Sequence, residues 1–320
     1  MRESQAIQRL RRIATNPAAL GLTDDTALFD GLVLTHDSIA EGVHFLPSDP
    51  AASVGWKLVT VNLSDLAAKG ATPAAALLSL ALSGDDAWDM SFLDGVEAAC
   101  ESYGLPLLGG DTIALPAGAP RVFGLTAIGR AGENVPLRSS AKAGDTLWVV
   151  GTLGDSAVGL DLLREDDAAT GALVDVYRRP VPLLAAGQAL ATQAHAMMDV
   201  SDGLLLDAMR LAEASALNAE IDLDTLPLSK AFIAERGGGL EARLFAATGG
   251  DDYALLVAMA PDANPLSLSL PSGTTIARVG TLAAEGSLLA LTSGGSPVPL
   301  PENLGHEHRS NSPAPVADRG

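Results

Sequence analysis

The chain has 320 residues, 48% of them hydrophobic, enough for two folded domains each with its own core. Its formal net charge of −19 excludes a basic surface for nucleic acid or anionic membrane, so an anionic ligand has to be bound with the help of cations. The single cysteine, Cys100, excludes an intrachain disulfide framework and fits a reducing cytoplasm, and the charged Met1 to Arg12 stretch lacks a secretory apolar segment.

Residues 3–15 are predicted to form a short amphipathic helix that ends before Pro17. Thr23-Asp-Asp-Thr-Ala-Leu-Phe29 then puts two carboxylates at the start of a strand, and Gly31 turns the chain into a second strand, Leu32 to Asp37. From Ile39 to Phe45 the backbone is expected to stay extended, carrying Glu41 and His44. A helix follows from Asp49-Pro50 to Gly70: Asp49 is its expected N-cap, Pro50 loses nothing at the first helical position, and Gly70 suits a left-handed C-cap before Pro73. Val54, Leu58, Val61 and Leu66 are expected to face a core, with Asn62, Asp65 and Lys69 along one polar stripe. Taken alone, Asp65 and Lys69 read as an ordinary exposed i,i+4 ion pair.

Pro73 to Leu82 reads as a buried strand, far too short to span a membrane. Ala87 to Tyr103 reads as a helix, and Leu105 to Leu108 as a strand running into Gly109-Gly-Asp-Thr112. After a strand from Arg121 to Arg130, small polar residues between Ser139 and Asp145 suggest a linker, giving domains of 1–142 and 143–304. The second half restarts with the strand Thr146 to Val150, followed by Gly151-Thr-Leu-Gly-Asp-Ser156 opening a helix. A strand from Ala194 ends in Asp199-Val-Ser-Asp-Gly203 ahead of a helix from Leu204 to Ala214, and Ala247 to Val257 again joins glycines, paired carboxylates and a strand. Residues 305–320 are expected to be a disordered tail.

Six places share one pattern, carboxylates flanked by Gly, Ser or Thr at the border of an apolar run: Asp24/Asp25, Asp37, Asp65, Asp111, Asp199/Asp202 and Asp251/Asp252. Carboxylates gathered at strand ends repel one another unless a cation neutralises them, and such hard oxygen donors suit Mg²⁺, whose shell nucleotide phosphates commonly complete. Glycines allow backbone N–H groups close to phosphate oxygens, as at Gly151 to Ser156. Each Gly-Gly-Asp or Ser-Asp-Gly alone is turn chemistry; turn preference does not account for the recurrence across both halves together with an acid inside an apolar helix. Other chemistries lack their residues. There is no P-loop lysine, no G-x-G-x-x-G after a first strand, no H-E-x-x-H or Cys/His zinc spacing, and no G-x-S-x-G around Ser201.

The ordered series TDDTALF, LTHDSIAEGVHF, VNLSDLAAKGA, LLGGDT, GTLGDSAVGL, DVSDGL and GGDDYALL, from Thr23 to about Leu256, resembles the thiamine-monophosphate kinase family of the aminoimidazole ribonucleotide synthetase-like superfamily. The resemblance implies an α/β (α+β) fold of two domains, each a mixed β-sheet covered by helices, with the N-terminal sheets paired in a homodimer. It implies Mg²⁺-assisted, in-line transfer of the γ-phosphoryl of ATP to thiamine monophosphate. Implied Mg²⁺ ligands are Asp25, Thr35, Asp37, Asp65, Asp111, Asp199 and Asp202, of which Asp37, Asp65, Asp111 and Asp202 would be central to catalysis. Gly110, Asp111, Arg138, Ser201 and Tyr103 match ATP contacts, and His44, Asp251 and His306 match the thiamine-phosphate end. The chain departs from the family where His36 replaces Thr, Asp251 replaces Glu, and Gly305-His-Glu-His-Arg309 replaces an aromatic followed by His-Phe. Rival readings are another ATP-using member of the superfamily (a hydrogenase-maturation, selenophosphate or purine-pathway synthetase) or a catalytically silent nucleotide or thiamine-phosphate binding protein. The first two of those synthetases rely on a terminal Cys or selenocysteine, whereas Cys100 lies within a predicted helix.

Overall fold

The computed structural model describes residues 3–307. The first domain comprises α1 (Glu3–Leu10), β1 (Ala27–Phe29), β2 (Leu32–Ala40), α2 (Ala51–Ala68), β3 (Thr72–Leu82), α3 (Asp86–Tyr103), β4 (Leu107–Ala114) and β5 (Val122–Arg130). Its sheet has the order β1-β2-β5-β3-β4 and is antiparallel except between β3 and β4. The second domain comprises β6 (Thr146–Val150), α4 (Asp155–Glu165), α5 (Ala172–Arg178), α6 (Leu184–Ala191), β7 (Ala194–Val200), α7 (Leu204–Ala214), β8 (Asn218–Asp222), α8 (Lys230–Arg236), α9 (Leu240–Gly249), β9 (Ala254–Met259), β10 (Ile276–Ala283), β11 (Leu289–Ser293) and β12 (Ser296–Val298). Its sheet runs β12-β11-β8-β10-β6-β9-β7, parallel only between β8 and β11. Both domains are thus mixed sheets packed with helices, the architecture expected from the resemblance.

The β1–β2 hairpin forms as expected. Asp30 and Gly31 both take positive φ, 54° and 77°, which gives the turn a twist that matches the flanking strands and suits an Asp-Gly pair. Beyond Ala40 the expectation of extended backbone fails. Gly42, at φ 79°, reverses the chain, and the N–H groups of Val43 and His44 both donate to the Ala40 carbonyl, at 3.2 and 2.9 Å. That turn folds His44 back over β2, where its Nδ1 accepts from Ala40 N at 3.1 Å.

The molecule is organised around α2. Asp49 does not cap it; its carboxylate accepts from Leu46 N and from Arg178 Nε of α5, both at 2.8 Å, so a partner from the other domain overrides the local cap. Gly70 does take the left-handed conformation, φ 60°, and Ala71 N closes back on Leu66 O at 2.9 Å. Every residue of α2 except Ala52 and Trp56 is buried. One side packs on β2, β5 and α3, the other on α6 and β7 of the second domain. A Cβ at Gly55 would stand 2.1 Å from Phe92 O, and one at Gly187 would stand 2.0 Å from Ala67 O, so α2 meets α3 and α6 backbone to backbone. The expected one-sided polar stripe therefore does not exist: Asn62, Asp65 and Lys69 are enclosed between the domains.

β3 was expected to be a buried strand and is only partly buried. Leu77 of β3 and Leu107, Leu108 and Ile113 of β4 are exposed, and all of β4 is exposed at the sheet edge.

Candidate active site

A cleft of about 310 Å³ lies between the domains. Asp25, Asp37 and His44 line it from the first domain; Ser201, Asp202, Arg210, Asp251 and His306 line it from the second. Strand alternation sets Thr35 and Asp37 on the same face of β2, α2 supplies Asp65, and the end of β7 supplies Asp199. Asp25, Asp65 and Asp199 present carboxylate oxygens that all lie within 4.8 Å of one another. Thr35 Oγ1 donates to Asp65 Oδ2, and Ser64 Oγ donates to Asp199 Oδ2 at 2.7 Å. Asn62 Oδ1 accepts from Asp37 N at 2.9 Å while its Nδ2 donates to Leu58 O, so Asn62 anchors β2 to α2.

Charge in this cluster is unbalanced. Burial, then the charges of Asp37, Asp199 and Asp25, push Asp65 well above the usual carboxylate range. Asp199 is pushed up to about 7, first by burial and then by Asp25, against the hydrogen bond from Ser64. Asp25 behaves oppositely: burial raises it, but Arg138, Lys69 and Arg210 outweigh that and hold it below the usual range. A group of oxygen-only donors at this spacing, with more negative charge than the neighbouring arginines and lysine cancel, fits a hard divalent cation such as Mg²⁺.

The remaining ionic partners differ from the sequence-based expectation. Lys69 does not pair with Asp65. Its fully buried Nζ pairs with Asp24 Oδ1 at 2.8 Å and donates to Met197 O of β7 at 2.8 Å, joining the two domains. Arg138 lies on a short 3₁₀ turn. Its N–H donates to Asp24 Oδ2 at 2.8 Å and its Nη2 pairs with Asp25, while its buried Nε has no protein partner.

At the other end of the cleft Asp251, at φ 61°, is braced on every side. Its N–H donates to Ser201 O at 2.6 Å. Oδ2 accepts from Lys57 Nζ at 2.6 Å and Ser156 Oγ at 2.9 Å, and Oδ1 accepts from Tyr253 OH at 2.9 Å. Buried Lys57 also donates to His44 O at 3.0 Å and lies 4.2 Å from the Tyr177 ring centroid, so one ammonium holds two of the three residues matched to the thiamine-phosphate end. Asp252 points elsewhere: Oδ1 accepts from Gly154 N at 2.8 Å at the entrance to α4. His306 N donates to Asp202 O at 2.8 Å, so residues 305–307 are docked rather than a disordered tail; 308–320, including Arg309, lie outside the described residues.

Three matched residues do not reach this cleft within one chain. Gly110 and Asp111 lie on exposed β4. In the ladder Asp111 stands beside Ser79, Ser79 beside Gly124, and Gly124 beside Ser38, which puts Asp111 three strand spacings, about 14 Å, from β2. Tyr103 ends α3 with its ring 5.8 Å from that of Trp56. His36 projects on the face of β2 opposite Asp37, where Nδ1 meets Thr126 Oγ1 at 2.8 Å. Sequence reasoning missed Lys57, Ser64 and Arg210. Lys57 carried a usable signal, since like Asp65 it is an ionisable residue inside an apolar helix.

Models of the AIR synthase related protein N-terminal and C-terminal domains match residues 23–131 and 142–288. The thiamine-monophosphate kinase of Caulobacter vibrioides is 39% identical over 276 residues, covering 81% of this chain and 77% of that protein. That of Escherichia coli K12 is 36% identical over 304 residues, covering 90% and 91%. A solved structure described as AaThiL complexed with AMPPCP and TMP superposes with a TM-score of 0.81 at 31% identity, covering 95% of this chain and 97% of the other. By its two matched domains, the relatives aligned along most of its length and the superposed fold, the chain belongs to the AIR synthase related family and, within it, to the thiamine-monophosphate kinases.

Proposed function

We propose that the chain transfers the γ-phosphoryl group of ATP to the phosphate of thiamine monophosphate, giving thiamine diphosphate. The observation that carries this reading is the interdomain cleft, where Asp25, Asp65 and Asp199 converge and where Lys57 ties together His44 and Asp251. The kinase names of the aligned relatives, and the AMPPCP and TMP of the similar structure, support it.

The acceptor is a phosphate oxygen that is already anionic, so no strong general base is required. The larger obstacle is repulsion between two polyanions inside an acidic cleft. Bound Mg²⁺ would supply neutralisation and in-line alignment of the phosphates. Asp25, Thr35, Asp37, Asp65, Asp199 and Asp202 are the residues of this chain that would hold it. Arg138 adds a fixed guanidinium beside the acidic cluster, its Nη2 paired with Asp25. Ser201 contributes at the loop before α7, and Asp251, His44 and His306 orient the thiamine end, with Lys57 and Tyr253 fixing the carboxylate of Asp251.

The enzyme is proposed to act as a homodimer. The open face of the first sheet and its β4 edge expose Leu77, Leu108 and Ile113, an apolar surface of the kind subunits cover. A second copy there gives Gly110, Asp111 and Tyr103 a route to a nucleotide that they lack within one chain. Among the described residues no helix is long and apolar enough to cross a membrane, and the lone half-buried Cys100 is consistent with a cytoplasmic enzyme.

The test is incubation of the purified protein with ATP, Mg²⁺ and thiamine monophosphate, followed by phosphorus NMR. Loss of the thiamine monophosphate resonance with appearance of a pair of coupled diphosphate resonances distinct from those of ADP supports the reading; intact ATP binding with no such product ends it.

A further inference from the structure

Among the described residues that line the cleft, Arg210 is the one arginine or lysine. It projects from α7, and its Nη1 pairs with Asp202 Oδ2 and with Asp207 Oδ1, the latter at 3.2 Å. Both contacts use Nη1, so the rest of the guanidinium fork is not committed to them. The two carboxylates are not equivalent. Asp207 is fully buried and its Oδ2 accepts from Asp202 N at 3.1 Å, so it is a fixed anchor. Asp202 is part-exposed in the cleft and is among the residues matched to Mg²⁺.

We infer that Arg210 is an exchange cation and a second phosphate clamp. Without a divalent ion it neutralises Asp202. When the ion takes Asp202, Arg210 keeps Asp207 as its anchor and turns its remaining N–H donors to the nucleotide phosphates, alongside Arg138. The inference rests on the kinase reading for the identity of the polyanion. Its logic is charge conservation: Asp202 cannot give its oxygen fully to both cations, and a guanidinium released beside an incoming polyphosphate has a better partner than water. The consequence is a pair of effects of opposite sign. Arg210 opposes binding of metal alone and favours binding of metal-nucleotide. A residue that only braced α7 would move both in the same direction.

The test uses Arg210→Gln, which keeps a hydrogen-bond donor for Asp207 while removing the charge, and Arg210→Lys, which keeps the charge but loses the fork. Binding of Mn²⁺ alone is read from the loss of the free-ion electron paramagnetic resonance signal. Binding of a non-hydrolysable ATP analogue with Mg²⁺ is read by calorimetry. The expected result for Arg210→Gln is Mn²⁺ binding tighter by about threefold to tenfold and nucleotide binding weaker by about 10- to 100-fold, with Arg210→Lys between it and the wild type. If both affinities fall together, or neither changes while the wild type binds nucleotide, the inference is overturned and the kinase reading stands. If the wild type itself fails to bind the metal-nucleotide, both fall.

Discussion

Lys69 and Asp24 are sealed between the domains, and replacing Lys69 with Met tests whether that pair, rather than an Asp65–Lys69 pair on a helix surface, is what the lysine is for. In the structure Lys69 Nζ is 2.8 Å from Asp24 Oδ1, with side-chain exposures of 0% and 2%. Removing one partner of such a pair leaves an uncompensated buried charge and costs about 3–5 kcal/mol, whereas an exposed i,i+4 pair contributes only about 0.3–0.5 kcal/mol. Met keeps most of the aliphatic volume, so packing loss adds little, although Met197 O also loses its donor. For a chain of this size roughly 2 °C accompanies each kcal/mol, so the thermal midpoint of Lys69→Met should drop by roughly 6–10 °C. Adding Asp24→Asn should recover much of that loss, because Asn keeps an acceptor for Arg138 N and no longer carries the stranded charge. The same cycle run with Asp65→Asn should show little coupling. A loss below about 1 kcal/mol for Lys69→Met, or stronger coupling to Asp65 than to Asp24, would refute the assignment.

The other predictions concern the cleft and the open sheet. Asp199 sits at about 7 in the folded protein against 3.8 for an unperturbed carboxyl, so its contribution to metal-free stability is complete below about pH 3.8 and is lost as pH rises through about 7. Mg²⁺ needs the deprotonated forms of Asp199 and of Asp65, which is raised as well; its affinity should therefore rise with pH through about 7, with proton release measurable by calorimetry in buffers of different ionisation enthalpy. Affinity that does not vary across that window would remove Asp199 from the ion site. Lys57→Met should raise KM for thiamine monophosphate by about tenfold while leaving KM for ATP nearly unchanged, because Lys57 braces Asp251 and the His44 carbonyl and touches no nucleotide residue. Equal changes in both constants would make Lys57 a general stabiliser of the fold. Leu108→Glu on exposed β4 should convert a dimer to monomers in sedimentation velocity and depress activity with it; an unaltered sedimentation coefficient would show that this face is not the subunit contact.

Much of the site was legible because its chemistry sits at element borders. The Asp25, Asp199 and Asp202 positions follow from carboxylates placed beside turn residues at strand ends, whereas Asp37 lies inside β2, and the Asp30-Gly31 hairpin follows from turn chemistry alone. Partnership was less legible than position. Asp49 has the composition of an N-cap, but Arg178, 129 residues away in sequence, claims it. Lys69 has the spacing of a surface pair, yet α2 has no surface. Its apolar residues Val59, Val61, Leu63 and Leu66 wrap around the helix, which is the mark of burial on all sides; reading them as a single stripe concealed that and hid Lys57 as well. Asp111 could be placed at the end of a strand, but that this strand, β4, would form an exposed sheet edge away from the cleft depends on the strand order, which the order of residues along the chain does not give.

The backbone contacts at Gly55 and Gly187 carry a consequence for how this protein can be divided. The sequence breaks conveniently near residue 142, but α2 belongs to the interior of both halves. A fragment ending there would expose the α6- and β7-facing side of α2, with Lys69 and Asp65 stripped of their cover, and the second half alone would have a hole where that helix belongs. The two halves should therefore unfold as one cooperative unit, and neither should be recovered as a soluble monomer when expressed without the other. Mixing the halves should restore the cleft only if α2 can slide back between them. The boundary drawn by composition is a joint in the chain, and the folding unit runs straight across it.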